Sequence, residues 1–154
     1  PRKGASLILG AGGASRAVIA ALLSEGSNKI IVINRTIEKA EKLKIQFENK
    51  IKVESWNDLN EIAASSSNII NTTSLGMNDE SFIPINPESI PKEALVSDLV
   101  YVPLETNFLK MARNRKSRTV DGLGMLIHQA IPGFKNWFGK TPVSTKELRA
   151  ILMK

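Results

Sequence analysis

The sequence predicts an α/β fold: a doubly wound, mainly parallel six-stranded sheet with helices on both faces. Three observations predict it. Short runs made almost wholly of Val, Ile and Leu alternate with segments of helical periodicity, a glycine-rich turn follows the first of those runs, and composition does not break along the 154 residues. Strands that are apolar throughout, rather than at every second position, are buried on both faces, as in a parallel sheet covered by crossover helices. With 42% hydrophobic residues the chain is long enough to bury one sizeable core.

The elements follow in order. SLILG (6–10) is the first strand, and the glycines after it open a helix over 13–25. KIIVIN (29–34) is the second strand. IEKAEKLKIQFENK follows, a helix over 37–48 in which Ala40, Leu43 and Phe47 recur at helical spacing among charged residues. KVES (52–55) is a short third strand, and a helix spans 58–64, where Asp58 and Glu61 have capping-box spacing. NIINTT (68–73), LVSDLV (95–100) and RTV (118–120) complete the six strands. Helices fill 106–114, 123–138 and 145–153, the last with Ser144 and Glu147 as a second capping box. MNDESFIPINPESIPKEA, with three prolines, is the one long irregular loop, and such a loop beside a strand end commonly carries function.

Composition excludes several function classes. The chain has no cysteine, hence no disulfide framework and no thiolate metal site. No apolar run approaches a membrane span and the N-terminus lacks a signal-peptide pattern, so a soluble cytoplasmic protein is expected. The net charge of +6 asks for an anionic partner. Only RNRKSR (Arg113 to Arg118) is a dense basic cluster, and no aromatics interleave it. A solvated helix end accounts for it better than nucleic-acid binding, which is not expected. No cluster of His, Asp and Glu has metal-ligand spacing, so no metal is expected.

The glycine-rich turn has a specific chemistry. Gly10 ends the first strand and Gly12 lets the backbone approach a phosphate. The helix starting near Gly13 turns its unpaired N–H groups and positive dipole end toward the anion. Ser15 stands where the dinucleotide fingerprint has its third glycine, which requires that a small side chain still permit close helix–strand packing. The end of the second strand selects the nucleotide. Asn34 occupies the position of the acidic residue that binds the ribose hydroxyls in NAD sites, so nothing there repels a 2′-phosphate. Arg35 offers that phosphate a guanidinium, Thr36 a hydroxyl and an N–H, and Lys39 a second charge, which favours NADP(H). The bland alternative is that Thr36 only caps the next helix while Arg35 and Lys39 are solvated.

GAGGASRA, NRT with a following basic residue, NTTSLGM, DLVYVPLETNFL and DGLGMLIHQA stand in the order and at the spacing found in shikimate dehydrogenases, and the chain resembles that family over nearly its whole length. The resemblance implies a Rossmann-like fold and the NADPH-dependent, oxidoreductase reduction of 3-dehydroshikimate to shikimate in the shikimate pathway, which leads to chorismate and aromatic amino acid biosynthesis. It implies a cofactor site made by Gly10, Ala11, Gly12, Gly13, Ala14 and Ser15; by Asn34, Arg35, Thr36 and Lys39; by Asn71, Thr72, Thr73, Ser74 and Met77; and by Val100, Gly122 and Met125. Tyr101 and Gln129 face substrate.

The family's catalytic Lys and Asp lie in N-terminal segments with no counterpart here, so no catalytic residue is assigned in this chain. The chain is expected to be the cofactor-binding part of a two-domain enzyme, binding NADP(H) without turnover on its own. In that reading residues 1–123 form the NADP-binding domain. Residues 124–154 pack on the missing substrate domain and present Trp137, Phe138 and Leu148 without a partner; the alternative is that these fold back onto the sheet. The enzyme is expected to be a monomer or homodimer. Asp121 and His128, the only histidine, are expected to move no proton, and Ser74 lacks the surroundings of a nucleophile. Two other readings remain, an NAD(P)-dependent quinate/shikimate dehydrogenase and a non-catalytic dinucleotide-binding module.

Overall fold

The computed structural model describes residues 4–77 and 81–153, so residues 78–80, near the start of the proline-rich loop, lie outside the described residues. Six parallel strands form one sheet: β1 (Ala5–Leu9), β2 (Ile30–Ile33), β3 (Lys52–Glu54), β4 (Ser66–Asn71), β5 (Leu95–Asp98) and β6 (Arg118–Val120). Their spatial order is β3-β2-β1-β4-β5-β6, and every neighbouring pair is parallel. The helices are α1 (Gly13–Ser24), α2 (Ile37–Gln46), α3 (Leu59–Ala64), α4 (Asn107–Asn114), α5 (Leu123–Phe138) and α6 (Lys146–Leu152).

Alternation along each strand divides the core into two layers. Leu7, Leu9, Ile33, Ile69 and Val96 face one side, where Leu59 and Ala63 of α3 and Phe108, Leu109 and Ala112 of α4 cover them. Ile8, Ile30 and Val32 face the other side against Ile19 of α1 and Ala40 and Leu43 of α2. The register then sets the site. Leu9 pairs with Ile33 on one side and Asn71 on the other, and Asn71 pairs with Asp98. With Glu54 of β3 paired to Ile33, five strands therefore end on one row. The winding direction reverses between β1 and β4 on that row, and a crevice opens at their carboxyl ends.

Both predicted capping boxes fail in detail. Trp56–Asp58 is a 3-10 turn in which the Ser55 hydroxyl accepts from the Asn57 N–H at 3.2 Å. Asp58 thus enters α3 from helical-type backbone, not from the extended conformation a cap needs, and its side chain makes no capping bond. At α6 the cap is Thr145, one residue after Ser144, and it accepts from the Leu148 N–H at 3.1 Å. Two of the four basic side chains in the cluster, Arg113 and Arg115, are engaged within the chain. Arg113 pairs with Glu105, Arg115 donates to the Ile90 carbonyl at 3.4 Å, and the Ser117 hydroxyl donates to that of Pro91 at 2.9 Å.

Leu123 and Ile127 are buried at the start of α5, but Trp137, Phe138 and Leu148 do not fold back onto the sheet. Trp137 is 80% exposed, Phe138 63% and Leu148 38%. With Leu126, Ile131 and Phe134 they line an apolar groove of about 600 Å³ between α5 and α6. Asp121 fixes this unit to the body of the fold. One carboxylate oxygen accepts from the Leu123 N–H at 3.1 Å, and the other pairs with Arg149 at 2.5 Å. Among the described residues no helix is long and apolar enough to cross a membrane.

Candidate functional site

The glycine-rich turn lies at the end of β1. Gly10 has φ +106°, a conformation for which glycine is suited, and a Cβ there would stand 2.8 Å from the Thr73 methyl and 2.9 Å from the Thr72 hydroxyl. Gly12 and Gly13 differ: nothing lies within 4 Å of a Cβ at either, and both are exposed. No side chain caps α1 at Gly12, so its first-turn amides are open to an anion. Ala11 and Ala14 complete the rim. Ser15 is fully buried, and its hydroxyl donates to the Gly12 carbonyl at 2.6 Å. The one departure from the glycine fingerprint is therefore absorbed by a hydrogen bond inside the turn.

At the end of β2 the Asn34 amide donates to the Thr36 carbonyl at 2.7 Å and so shapes the following turn. Thr36 is the N-cap of α2, yet its hydroxyl makes no capping bond. Arg35, Thr36 and Lys39 are exposed. Neither Arg35 nor Lys39 forms an ion pair among the described residues, although Lys44, Lys50 and Lys52 all find glutamate partners. Asn34 and Arg35 share a groove of about 370 Å³ with Trp56, Thr73, Ser74, Leu75, Phe82 and Pro84. Sequence reading missed Trp56, Phe82 and Pro84, which the 3-10 turn and the proline-rich loop bring in. The only signal for Phe82 and Pro84 was the length of that loop, and nothing local marked Trp56.

The ends of β4 and β5 are joined by a buried polar network. Asp98 is 1% exposed. Its Oδ1 accepts from the Asn71 amide at 2.8 Å and the Val100 N–H at 3.0 Å, and its Oδ2 accepts from the Thr106 hydroxyl at 2.7 Å. Asn71 Oδ1 in turn accepts from the Thr73 N–H at 3.0 Å and the Thr73 hydroxyl at 2.6 Å. These side-chain bonds end both strands before the predicted Thr73 and Val100. Thr72 stays attached to β1, its hydroxyl donating to the Leu9 carbonyl at 2.6 Å.

Burial pushes the Asp98 carboxyl above the usual aspartate range, against the three hydrogen bonds that pull it down. In the window above the ordinary aspartate value the native chain keeps a proton that the unfolded chain has released. This group's contribution to stability is therefore full at low pH and falls as pH rises through that window. Urea unfolding of wild type and Asp98→Asn across the acid range should show the difference between them shifting toward the variant as pH rises. A constant difference would mean that the carboxyl titrates normally.

The remaining candidates divide. Val100 is 2% exposed, so its side chain is in the core. Tyr101 is 39% exposed just beyond it, and Ser74 and Met77 are exposed on the loop after β4. Gly122 packs against the segment after β5, Met125 is half-buried in the first turn of α5, and Gln129 lies one turn further along, lining the groove toward α6. The fold thus gathers the sets at 10–15, 34–39, 71–74 and 100–101 at one edge of the sheet and leaves Gln129 facing away along α5. His128 is exposed. Among the described residues no three His, Cys, Asp or Glu side chains gather to hold a metal.

A family model described as Shikimate / quinate 5-dehydrogenase matches residues 2–80, and one described as the Shikimate 5′-dehydrogenase C-terminal domain matches residues 122–153. The chain is 48% identical to a shikimate dehydrogenase (NADP(+)) of Nitrobacter winogradskyi, over 98% of this chain and 54% of that protein. It resembles the structure of quinate dehydrogenase from Corynebacterium glutamicum in complex with NAD, with TM-score 0.87 and 28% identity over 99% of this chain and 56% of that one. It also resembles shikimate 5-dehydrogenase from Thermus thermophilus in complex with NADP(H) and shikimate, with TM-score 0.78 and 36% identity over 93% of this chain and 52% of that one. The chain spans about half the length of the curated relatives it matches.

Proposed function

Because the chain belongs to the shikimate and quinate 5-dehydrogenase family, we propose that it binds NADP(H) and serves the NADPH-dependent interconversion of 3-dehydroshikimate and shikimate. The observation that carries the cofactor is the end of β2. Asn34 stands where a carboxylate would repel a 2′-phosphate, and beside it Arg35 and Lys39 are exposed cations without ion-pair partners among the described residues. The turn from Gly10 to Ser15 takes the pyrophosphate on open amides. The groove beside Arg35, with Trp56 and Phe82, gives the adenine apolar walls.

At the other end of the crevice the strand ends at Asn71 to Ser74, Met77, the backbone at Val100 and Gly122, and Met125 hold the nicotinamide, with Tyr101 turned toward substrate. NADPH, when bound, supplies the hydride. This chain's residues fix the ring and keep one face of it dry. The proton-transfer groups are assigned to the part of the relatives' length that this chain does not match. Residues 124–154 dock on that part, which the exposed Trp137, Phe138 and Leu148 support, and Gln129 reaches substrate only across that junction.

Calorimetric titration with NADPH and NADH tests the reading. Arg35→Ala should weaken NADPH by about tenfold or more, the value of one charge-assisted hydrogen bond, and leave NADH unchanged. Equal effects on both would remove the clamp from the 2′-phosphate. The likeness to an NAD-bound quinate dehydrogenase favours a second reading, an NAD-using quinate/shikimate enzyme; tighter NADH than NADPH would select it. The chain alone should form no NADPH from NADP+ and shikimate.

A further inference from the structure

Asp98 is a buried carboxylate that the reading above leaves without a task. Among the described residues it forms no ion pair with any cation, so its charge is held by hydrogen bonds alone. A buried, unpaired carboxylate is a costly way to end a strand. Its partners show what it does. The Asn71 amide that donates to Asp98 also donates to the Leu75 carbonyl at 3.1 Å, and Asn71 Oδ1 holds both polar groups of Thr73. On the opposite side Asp98 fixes the Val100 N–H, the residue before Tyr101. Its third bond, from Thr106, reaches the hydroxyl that also accepts from the Leu109 N–H at the start of α4. One carboxylate thus ties the loop after β4 to the segment after β5.

We propose that Asp98 is a positioning residue for the nicotinamide end of the cofactor site, setting the spacing between the Asn71–Leu75 loop and the Val100–Tyr101 segment through hydrogen bonds to both. The inference rests on the NADP(H) reading of the crevice. It separates the two halves of the ligand. Thr73, Ser74 and Leu75 of the loop after β4 also line the Arg35 groove, but Asp98 bonds none of the three. Its direct partners are Asn71, Val100 and Thr106, so the nicotinamide walls depend on it more than the adenosine side does.

The test compares NADPH with adenosine 2′,5′-bisphosphate, which carries the adenosine and 2′-phosphate but no nicotinamide, on the 154-residue chain by titration. Asp98→Ala should weaken NADPH by about tenfold or more, while the bisphosphate stays within about twofold. Asp98→Asn keeps an acceptor for Asn71 and Val100 and should recover most of the loss. If Asp98→Ala does not fold, Thr106→Val, which removes one of the three donors and leaves the carboxylate in place, should show the same split at smaller size. Parallel loss of both ligands in a folded variant, or no loss of NADPH, would overturn the positioning role and make Asp98 a structural group only. Failure of the wild type to bind either ligand would overturn the cofactor reading itself, and this inference with it.

Discussion

Replacing Gly12 by valine should abolish NADPH binding and leave the thermal stability of the chain nearly unchanged. Gly12 has φ −97° and ψ −162°, extended backbone that valine adopts readily, and nothing stands within 4 Å of where its Cβ would be. Packing therefore gives no reason for a glycine there, and the N-cap preference for glycine over valine is a small term of about 1 kcal/mol. A side chain would, however, fill the space in front of the first-turn amides of α1 and hold a pyrophosphate off. Losing two charge-assisted hydrogen bonds of about 1.5 kcal/mol each lowers affinity by about a hundredfold or more. Gly10 makes the internal contrast. Alanine there meets φ +106° and the side chains of Thr72 and Thr73, so Gly10→Ala should lower stability whether or not a cofactor is present. Titration and melting of the two variants separate a glycine kept for a ligand from one kept for the fold. Wild-type affinity in Gly12→Val would mean that the pyrophosphate does not lie on this turn.

The division between what could be read from residues and what could not follows the range of the interactions involved. Apolar runs such as LILG and IIVI specify strands because every residue in them is solvated or buried according to sheet position alone. All six were placed to within about two residues, the usual uncertainty of an element boundary. The errors sit where a side chain competes with the backbone ladder. Asn71 and Asp98 end β4 and β5 by taking N–H groups from residues two further on, at Thr73 and Val100, and in NIINTT and LVSDLV nothing local marks them as terminators. Asp98 reads as a polar interruption of an apolar strand. Its partners at Asn71 and Thr106 come from two other elements, 27 and 8 residues away. Trp56 and Phe82 were missed in the same way, since only the assembled sheet brings them beside Arg35. Arg35 and Lys39 could be proposed from the residues alone because Asn34, Arg35, Thr36 and Lys39 fall on one strand end and one helical turn.

Gly122→Ala should be the most destabilising single methyl in the chain's candidate site, and its cause is packing rather than backbone freedom. Gly122 has φ −76° and ψ −11°, which alanine adopts without strain. Its Cβ would nevertheless lie 2.4 Å from the Leu99 carbonyl oxygen, 2.6 Å from the carbonyl carbon and 2.7 Å from the Val100 carbonyl oxygen. These are backbone atoms of the segment that Asp98 holds, so no rotamer change can relieve the contact. Either that segment or the start of α5 has to move. Overpacking against backbone costs about 3 kcal/mol, which for a chain of this size lowers Tm by roughly 6–12 °C. Gly124→Ala is the control: it lies two residues further into α5, nothing is within 4 Å of its Cβ, and alanine there should be neutral or stabilising by up to about 1 kcal/mol. The pair reads the packing of the residue that opens α5 against the segment after β5 directly. An unchanged Tm in Gly122→Ala would mean that the two are not in contact, and Val100 would lose the support that keeps its backbone in place.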